Sequence, residues 1–388
     1  MIRIEKIQSN GFFKGDRPMW VILLFLSIIS VLAVSSASGS VAFRQNSSVG
    51  YYIFKHLLFL IGGFGLILLQ VKYVPVSFYR RMSLPFLIVS FALLLLNLLV
   101  SSNRSLPLFG GLSFQPQEFV KLSLIMYVST LFAKCKYDLY DVDQMFWKVL
   151  GMTGFICLII SFRDISTAAL LFATIFVLML AVGVRRAKLL GVVVALLVLV
   201  VSAYLVADIV PKEGFSGRIH TFKSRIDGFI DGTPQGNSNV ELGQDDYFKY
   251  SIYKGGHGIA GPGRSKMRVS PAADNDFVYS VIVEEYSLVL GIVIIFLYAW
   301  VLYRGAKAGD EADDPFSKFV ALGLAVLITF QAFMNIGVNV GLFPVTGQPL
   351  PWVSMGGTSM LVTAGAFGVI ISVSYQNEKD REEKSMNS

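Results

Sequence analysis

Apolar residues recur along the whole chain in runs of about 20, the length that crosses a bilayer core of roughly 30 Å as a helix. Polar connections separate these runs, and all but one of the connections are short. The pattern therefore predicts an all-α polytopic membrane protein that forms a single domain over residues 1–388. Ten transmembrane helices are expected, over residues 18–40, 51–71, 82–101, 118–133, 146–163, 167–184, 188–207, 277–303, 317–342 and 356–375.

Composition and charge support this class. Of the 388 residues, 54% are hydrophobic and only 15% are charged, which is too apolar for a soluble domain of this size. Basic residues are retained on the cytoplasmic side of a membrane, and with the N-terminus placed inside, the short outside loops hold only Arg44, Arg104 and Arg163. Both ends are thus expected in the cytoplasm, as an N-terminal segment 1–17 and a charged, disordered tail 376–388. The net charge of +7 then requires no nucleic-acid partner.

The first apolar run resembles a secretory signal, because a basic leader precedes it and the small residues SSASGS follow it. Its apolar part is longer than the roughly 7–15 residues of a signal peptide, which favours a retained helix.

The one long connection covers residues 208–276, between the seventh and eighth predicted helices, on the extracytoplasmic side. Its last part, Lys249–Arg268, is called the basic segment below, because it has several Lys and Arg residues, no acid and many glycines. Glycines let backbone N–H groups approach phosphate oxygens, while binding to anionic lipid headgroups is an equally good reading of this composition. The G-x-G-x-x-G match at Gly256 is not a dinucleotide site, since no βαβ unit surrounds it.

Three acids stand near the start of the eighth run. Asp276 directly precedes the run, where a carboxylate either caps a helix or acts as a base, and the two roles are compatible. Glu284 and Glu285 lie roughly 12 Å further into the expected helix. Because an ionisable residue within a membrane span is a functional hypothesis by default, both are expected to shape or gate a polar cavity.

Other polar residues are candidate partners in the remaining spans. Glu118 and Lys121 are three residues apart, a spacing that allows an ion pair on one helix face. Arg163 and Asp164 lie at the outer end of the fifth run. A polar stripe repeats at i, i+4 and i+8, where interhelical hydrogen bonding and substrate contact are both open: Gln331, Asn335 and Asn339.

Four segments together resemble the SEDS family of peptidoglycan polymerases. FQPQEFVK is similar to that family's FQPSE-x-x-K, FRDISTA to its EPDLGTA, and GPGRSKMRVSPAADNDFVYSVIVEEY to its G-x-G-x-S-x-x-K … HTDFIFAVI-x-EE segment. NIGVNVGLFPVTGQPLPWVSMGGTS is similar to the family's N-x-x-V-x-x-G-L-x-P-x-T-G-x-x-L-P segment. The segments occur in the family's order over nearly the whole chain, and their wording is most similar to the division branch.

The resemblance implies a glycosyltransferase that joins the sugars of lipid II outside the cytoplasmic (inner) membrane. Asp276 matches the family's essential aspartate and would be the general base, with undecaprenyl pyrophosphate as the leaving group. Lys266 and Arg218 match basic positions for the pyrophosphate, and Arg264 and Lys254 are further candidates in the basic segment. Residues expected to line or support the cavity are Glu118, Lys121, Asp164, Glu284, Glu285, Gln331, Asn335 and Ser354.

The implied partners are a class B penicillin-binding protein with transpeptidase activity and other membrane proteins of the division machinery. The three histidines form no metal-spaced cluster, so no metal ligands are predicted. Whether a divalent cation assists the leaving pyrophosphate stays open. The chain departs from the family where Ala272 replaces a glutamate, and Asp274, two residues before Asp276, is a hypothetical substitute for it.

Two alternatives remain. A flippase for the lipid-linked precursor would use polar residues spread through the depth of the bundle, whereas here the basic segment and Asp276 concentrate at the outer surface. An elongation-type polymerase of the same family differs from a division polymerase only in motif wording.

Overall fold

The computed structural model describes residues 13–44, 46–100, 106–107, 113–135, 139–207, 220–221, 223–228, 244–265 and 276–387. Over these residues the fold is almost entirely helical. Its helices are α1 (Arg17–Arg44), α2 (Val49–Tyr73), α3 (Val76–Val100), α4 (Pro116–Phe132), α5 (Leu139–Ser161), α6 (Ile165–Val182), α7 (Arg186–Val206), α8 (Gln244–His257), α9 (Val278–Tyr286), α10 (Leu288–Asp310), α11 (Pro315–Asn339) and α12 (Gly357–Asn387). Two short strands, β1 (Leu106–Pro107) and β2 (Ser113–Phe114), pair antiparallel before α4.

The predicted class, an all-α polytopic membrane protein, is confirmed. Nine helices in the described part of the chain are long and apolar enough to cross a membrane. The helix α4, which matches the fourth predicted span, has only 17 residues and is not among these nine. The count of ten spans and the sidedness of the loops therefore stay predictions.

The eighth predicted span, residues 277–303, is not one helix. It divides at Ser287, whose φ of 107° is outside the helical region, into the nine-residue α9 and the long α10. Ser287 ends α9 by donating its N–H to the Val283 carbonyl, and its hydroxyl caps α10 by accepting from Val289 N–H. Apolar periodicity continues across the break, and for this reason the sequence pattern did not reveal it.

The helix α11 is the central helix of the bundle. In the most apolar 18-residue part of α11, 78% of the residues are buried inside the protein, whereas in the corresponding part of the peripheral α7 only 11% are buried. Its start is well specified, because Asp314 caps it by accepting from Ser317 N–H and Pro315 occupies the first turn. A Cβ at Gly323 would lie 2.7 Å from Ile125 of α4 and 2.8 Å from Leu178 of α6, so both helices pack closely on α11.

The end of the chain corrects a second expectation. The tail 376–388 was expected to be disordered, but α12 continues as a helix to Asn387. Its last turns are held on the turn between α10 and α11, where Arg381 pairs with Glu311 at 3.0 Å and Lys384 with Asp313 at 2.6 Å. The alternating charges that resemble a solvated tail thus supply partners for an acidic turn that is distant in sequence.

The close crossing of α10 and α11 generates a stability prediction. A Cβ at Gly305 would lie 2.3 Å from the Ala325 Cβ, so Gly305→Ala forces the two helices apart. We expect the variant to lose about 1–3 kcal/mol of stability and to melt at a lower temperature in detergent. Gly154→Ala in α5 is the matched control, because a Cβ there meets nothing within 4 Å, and it should melt no lower than the wild type. Equal melting temperatures for the two variants would contradict this packing.

Candidate active site

The segment between α11 and α12 supplies the inner wall of the site. Trp352 is buried at a φ of 68°, donates its indole N–H to the Ser27 hydroxyl of α1 at 2.8 Å, and packs edge-on against Phe64 of α2. Ser354 folds the segment locally by accepting from Leu350 N–H at 2.8 Å. These contacts hold the segment against α1 and α2.

Asp276 lies immediately before α9, and its main chain is fastened to α11. Its carbonyl oxygen accepts from Asn335 Nδ2 at 2.8 Å and from Asn339 Nδ2 at 3.0 Å. The Asn339 Oδ1 in turn accepts from the N–H and the hydroxyl of Ser280 at 3.0 and 2.7 Å. Asn335 and Asn339 therefore fix the main chain of Asp276, whose side chain is half-buried.

Asp276 does not occupy the N-cap position of α9. The residue at the N-cap of α9 is Phe277, which makes no side-chain cap bond, so Asp276 is one position too early.

Asp164 is the residue that caps a helix. Its Oδ1 accepts from the N–H groups of Ser166 and Thr167 at the start of α6. Its Oδ2 accepts from the Thr167 hydroxyl at 2.9 Å and from Gln348 Nε2 at 3.2 Å. The main-chain carbonyl of Gln348 also accepts from Asn335 Nδ2 at 2.7 Å. Gln348 thereby links Asp164 to the carboxamides that hold Asp276.

The ion pair predicted between Glu118 and Lys121 is present, with 2.7 Å between Nζ and Oε1 and almost complete burial of both side chains. Lys121 Nζ also donates to Gln331 Oε1 at 2.8 Å, and Gln331 Nε2 donates to the Pro349 carbonyl at 3.2 Å. The polar stripe of α11 therefore makes interhelical hydrogen bonds. It connects the buried pair of α4 with the segment after α11 and with Asp276.

The structure thus brings six of the thirteen predicted site residues, together with Asn339 and Gln348, into a hydrogen-bonded network that is called the polar core below: Glu118, Lys121, Asp164, Asp276, Gln331, Asn335, Asn339 and Gln348. Glu284 and Glu285 are elsewhere, in the last turn of α9, where both are fully buried. Gln348 was missed as a site residue, since an uncharged side chain in a non-periodic loop gives no sequence signal of its partners.

Of the four basic residues expected at the pyrophosphate, two lie outside the described residues: Lys266 and Arg218. Asp274 also lies there. Arg264 is exposed, and Lys254 Nζ pairs with Glu284 at 3.0 Å. A cavity of about 190 Å³ adjoins the Asp164 cap and has Arg163 and Arg225 in its lining.

The fold and the polar core define an all-helical polytopic membrane protein with a carboxylate site held between helices. The chain belongs to the FtsW/RodA/SpoVE family of cell cycle proteins, whose sequence profile matches residues 16–379. The family resemblance of the four motifs is thereby confirmed.

Curated relatives match the chain over nearly its full length. The probable peptidoglycan glycosyltransferase FtsW of Trichlorobacter lovleyi is 30% identical over 372 residues, covering 92% of this chain and 93% of the relative. The protein of the same name from Bacillus subtilis is 29% identical, with 94% and 92% covered. The stage V sporulation protein E of Bacillus subtilis is 28% identical, with 92% and 96% covered.

Solved structures share the fold. A chain of a peptidoglycan synthase complex, described for its coordination of polymerization and crosslinking, superposes with a TM-score of 0.71 at 23% identity, covering 93% of this chain and 97% of that chain. The rod shape determining protein RodA of Thermus thermophilus superposes with a TM-score of 0.61 at 20% identity, with 93% and 96% covered.

The buried pair of α4 generates a second stability prediction. Lys121→Met leaves the Glu118 carboxylate buried without its cation, which should cost about 3–5 kcal/mol, measured as a large fall in melting temperature. The double variant Glu118→Gln/Lys121→Met removes both charges and should recover most of this loss. Lys307→Met is the control, because Lys307 is half-exposed and its pair with Glu311 is worth less than about 1 kcal/mol. If Lys121→Met melted like Lys307→Met, the buried pair would not have the importance assigned to it.

Proposed function

We propose that this protein is a peptidoglycan glycosyltransferase that polymerises lipid II into glycan strands at the outer face of the inner membrane. The family, and relatives named peptidoglycan glycosyltransferase over more than nine-tenths of the chain, support this activity. The single observation that supports the site is the fixation of Asp276 on α11 through its carbonyl, next to the start of α9.

In this proposal Asp276 is the general base. Its carboxylate takes the proton from the acceptor sugar hydroxyl as that oxygen attacks the anomeric carbon of the donor. The new glycosidic C–O bond forms, the bond to the diphosphate breaks, and undecaprenyl pyrophosphate leaves with the electron pair. The anomeric centre inverts in this single displacement, so no covalent sugar–enzyme intermediate is needed.

The supporting roles follow from charge and position. Lys266, Arg218 and Arg264 are proposed to neutralise the pyrophosphate, since Lys and Arg are the side chains that bind phosphate oxygens best. Lys254, the fourth predicted cation, is paired with Glu284. The polar core is proposed to hold Asp276 in a fixed geometry, because a base contributes to the rate only when it is placed within hydrogen-bond reach of its proton.

The biological setting is proposed to be cell division, together with a class B penicillin-binding transpeptidase. Relatives named FtsW support division rather than elongation, and the fold shared with a chain of a peptidoglycan synthase complex supports such a partner. An elongation-type polymerase is the alternative within the family.

A lipid II flippase is the second candidate function. The stripe from Gln331 to Asn339 extends roughly 12 Å along α11, which is a polar path through part of the bundle. The stripe is hydrogen-bonded to other helices, however, and this favours a structural role in a polymerase.

One reconstitution distinguishes these functions. The purified protein is combined with its class B partner and lipid II, and glycan ladders are compared for the wild type and Asp276→Asn. Loss of a general base should slow polymerisation by about 10²–10⁴-fold. Asp313→Asn is the control, because Asp313 is an exposed acid in the turn between α10 and α11, and it should polymerise like the wild type.

Three outcomes would contradict the proposal in different ways. Equal amounts of polymer from the wild type and Asp276→Asn would show that Asp276 is not the general base. Absence of polymer from the wild type, alongside measurable scrambling of lipid II between leaflets, would favour the flippase. Strong loss in Asp313→Asn would show that charge alone, rather than position, governs the activity.

A further inference from the structure

The last turn of α9 contains two adjacent acids that the polar core does not use. Glu284 and Glu285 are both fully buried, and they accept hydrogen bonds from Ser251, Lys254, Ser265 and Ser36. A buried carboxylate is costly unless donors and cations compensate it. The identity of those donors therefore indicates what this pair is for.

The donors to Glu284 come from the basic segment and from the helix that contains its start. Lys254 Nζ donates to Oε1 at 3.0 Å, while the hydroxyls of Ser251 and Ser265 donate to Oε2 at 2.9 and 2.6 Å. Ser251 and Lys254 are on α8, and Ser265 follows it by eight residues. The Glu284 carboxylate therefore binds residues at both ends of the stretch 251–265.

Glu285 holds the same stretch from the neighbouring position. Its Oε1 accepts from Ser265 N–H at 3.0 Å and from the Ser36 hydroxyl of α1 at 2.5 Å. Ser36 belongs to the SSASGS stretch that resembled a signal cleavage site, so this part of α1 has a structural use. Through Glu285 the stretch 251–265 is attached to α1 as well as to α9.

The main chain completes the attachment. Ala260 N–H donates to the Glu284 carbonyl at 3.0 Å and Gly261 N–H to the Glu285 carbonyl at 3.1 Å. Gly255 of α8 approaches so closely that a Cβ there would lie 2.2 Å from the Val283 carbonyl oxygen. The stretch 251–265 is thus packed and hydrogen-bonded onto the last turn of α9.

The helix α9 connects this attachment to the catalytic position. It has nine residues, which is about 13 Å of helix, with Asp276 just before its first turn and the two glutamates in its last. A helix this short and this buried moves as one body. The contacts of Glu284 and Glu285 therefore determine how far Arg264, the exposed cation of the stretch 251–265, lies from Asp276.

We propose that Glu284 and Glu285 are positioning residues that fasten the stretch 251–265 to α9 and so place its exposed cation, Arg264, relative to Asp276. This inference rests on the polymerase function proposed above. It also assigns Lys254 to neutralising Glu284, rather than to direct contact with the pyrophosphate, and it leaves Arg264 as the exposed cation of this stretch.

Hydrogen–deuterium exchange of the full-length protein in detergent tests the attachment without substrate. In Glu284→Gln the amides of residues 258–265 should exchange about tenfold faster, because a charged hydrogen-bond acceptor is lost. Ser265→Ala is the milder variant and should accelerate the same amides by about threefold, since it removes one donor and leaves no buried charge unpaired. Glu311→Gln, which changes an acid in the turn between α10 and α11, should leave this stretch unchanged.

Steady-state kinetics with lipid II test the positioning role. Glu284→Gln should raise KM by about tenfold while kcat stays within about threefold of the wild type, because the base remains in place. Lys254→Met should have the same effect, and the double variant should be no worse than either single variant, since both remove one attachment.

Each outcome is decisive. Unchanged exchange over residues 258–265 in both Glu284→Gln and Ser265→Ala overturns the attachment. If the effects of Lys254→Met and Glu284→Gln on KM multiply in the double variant, Lys254 does not act through Glu284. Lys254 would then bind the substrate directly. A wild type that makes no polymer refutes the proposed function instead, and the exchange experiment still decides whether the glutamates fasten the segment.

Discussion

The structure depends on the need of buried polar groups in a membrane bundle to find their partners inside the protein. Hydrocarbon offers no donors or acceptors, so each buried carboxamide or charge must be matched by another helix or by a loop. The stripe on α11 meets this requirement with three side chains: Gln331 bonds Lys121 and the Pro349 carbonyl, Asn335 bonds the Gln348 carbonyl, and Asn339 bonds Ser280. The central helix is thereby joined to α4, to α9 and to the segment before α12.

This requirement also determines where the proposed chemistry takes place. The same carboxamides that satisfy one another hold the carbonyl of Asp276, and Gln348 extends the network to the cap of α6 at Asp164. At the other end of α9, a second buried group of acids and serines holds the stretch 251–265. A short helix with each end fastened to a different part of the bundle is a rigid link between a proposed base and a set of cations.

The sequence predicted the features that rest on local periodicity. Apolar runs located the helices, the i, i+3 spacing predicted the Glu118–Lys121 pair, and the i, i+4 repeat predicted a polar face on α11. It did not predict the break at Ser287, because a positive φ in a serine has no compositional sign. Nor could it predict that Glu284 would bind Lys254, Ser251 and Ser265, since those contacts depend on how a distant loop packs. The charged end of α12 was mistaken for a disordered tail for the same reason: its partners are in the turn between α10 and α11.

In the proposed mechanism, Asn335 and Asn339 of α11 hold Asp276 in the position that catalysis requires. The most direct measurement is kcat for lipid II polymerisation by the double variant Asn335→Ala/Asn339→Ala, compared with Asn377→Ala, which removes a buried carboxamide that bonds the Ala308 carbonyl in another part of the bundle. We expect a fall in kcat of roughly 10–100-fold for the double variant, because the base is misplaced, and near-normal turnover for Asn377→Ala. A folded double variant with wild-type kcat would contradict it.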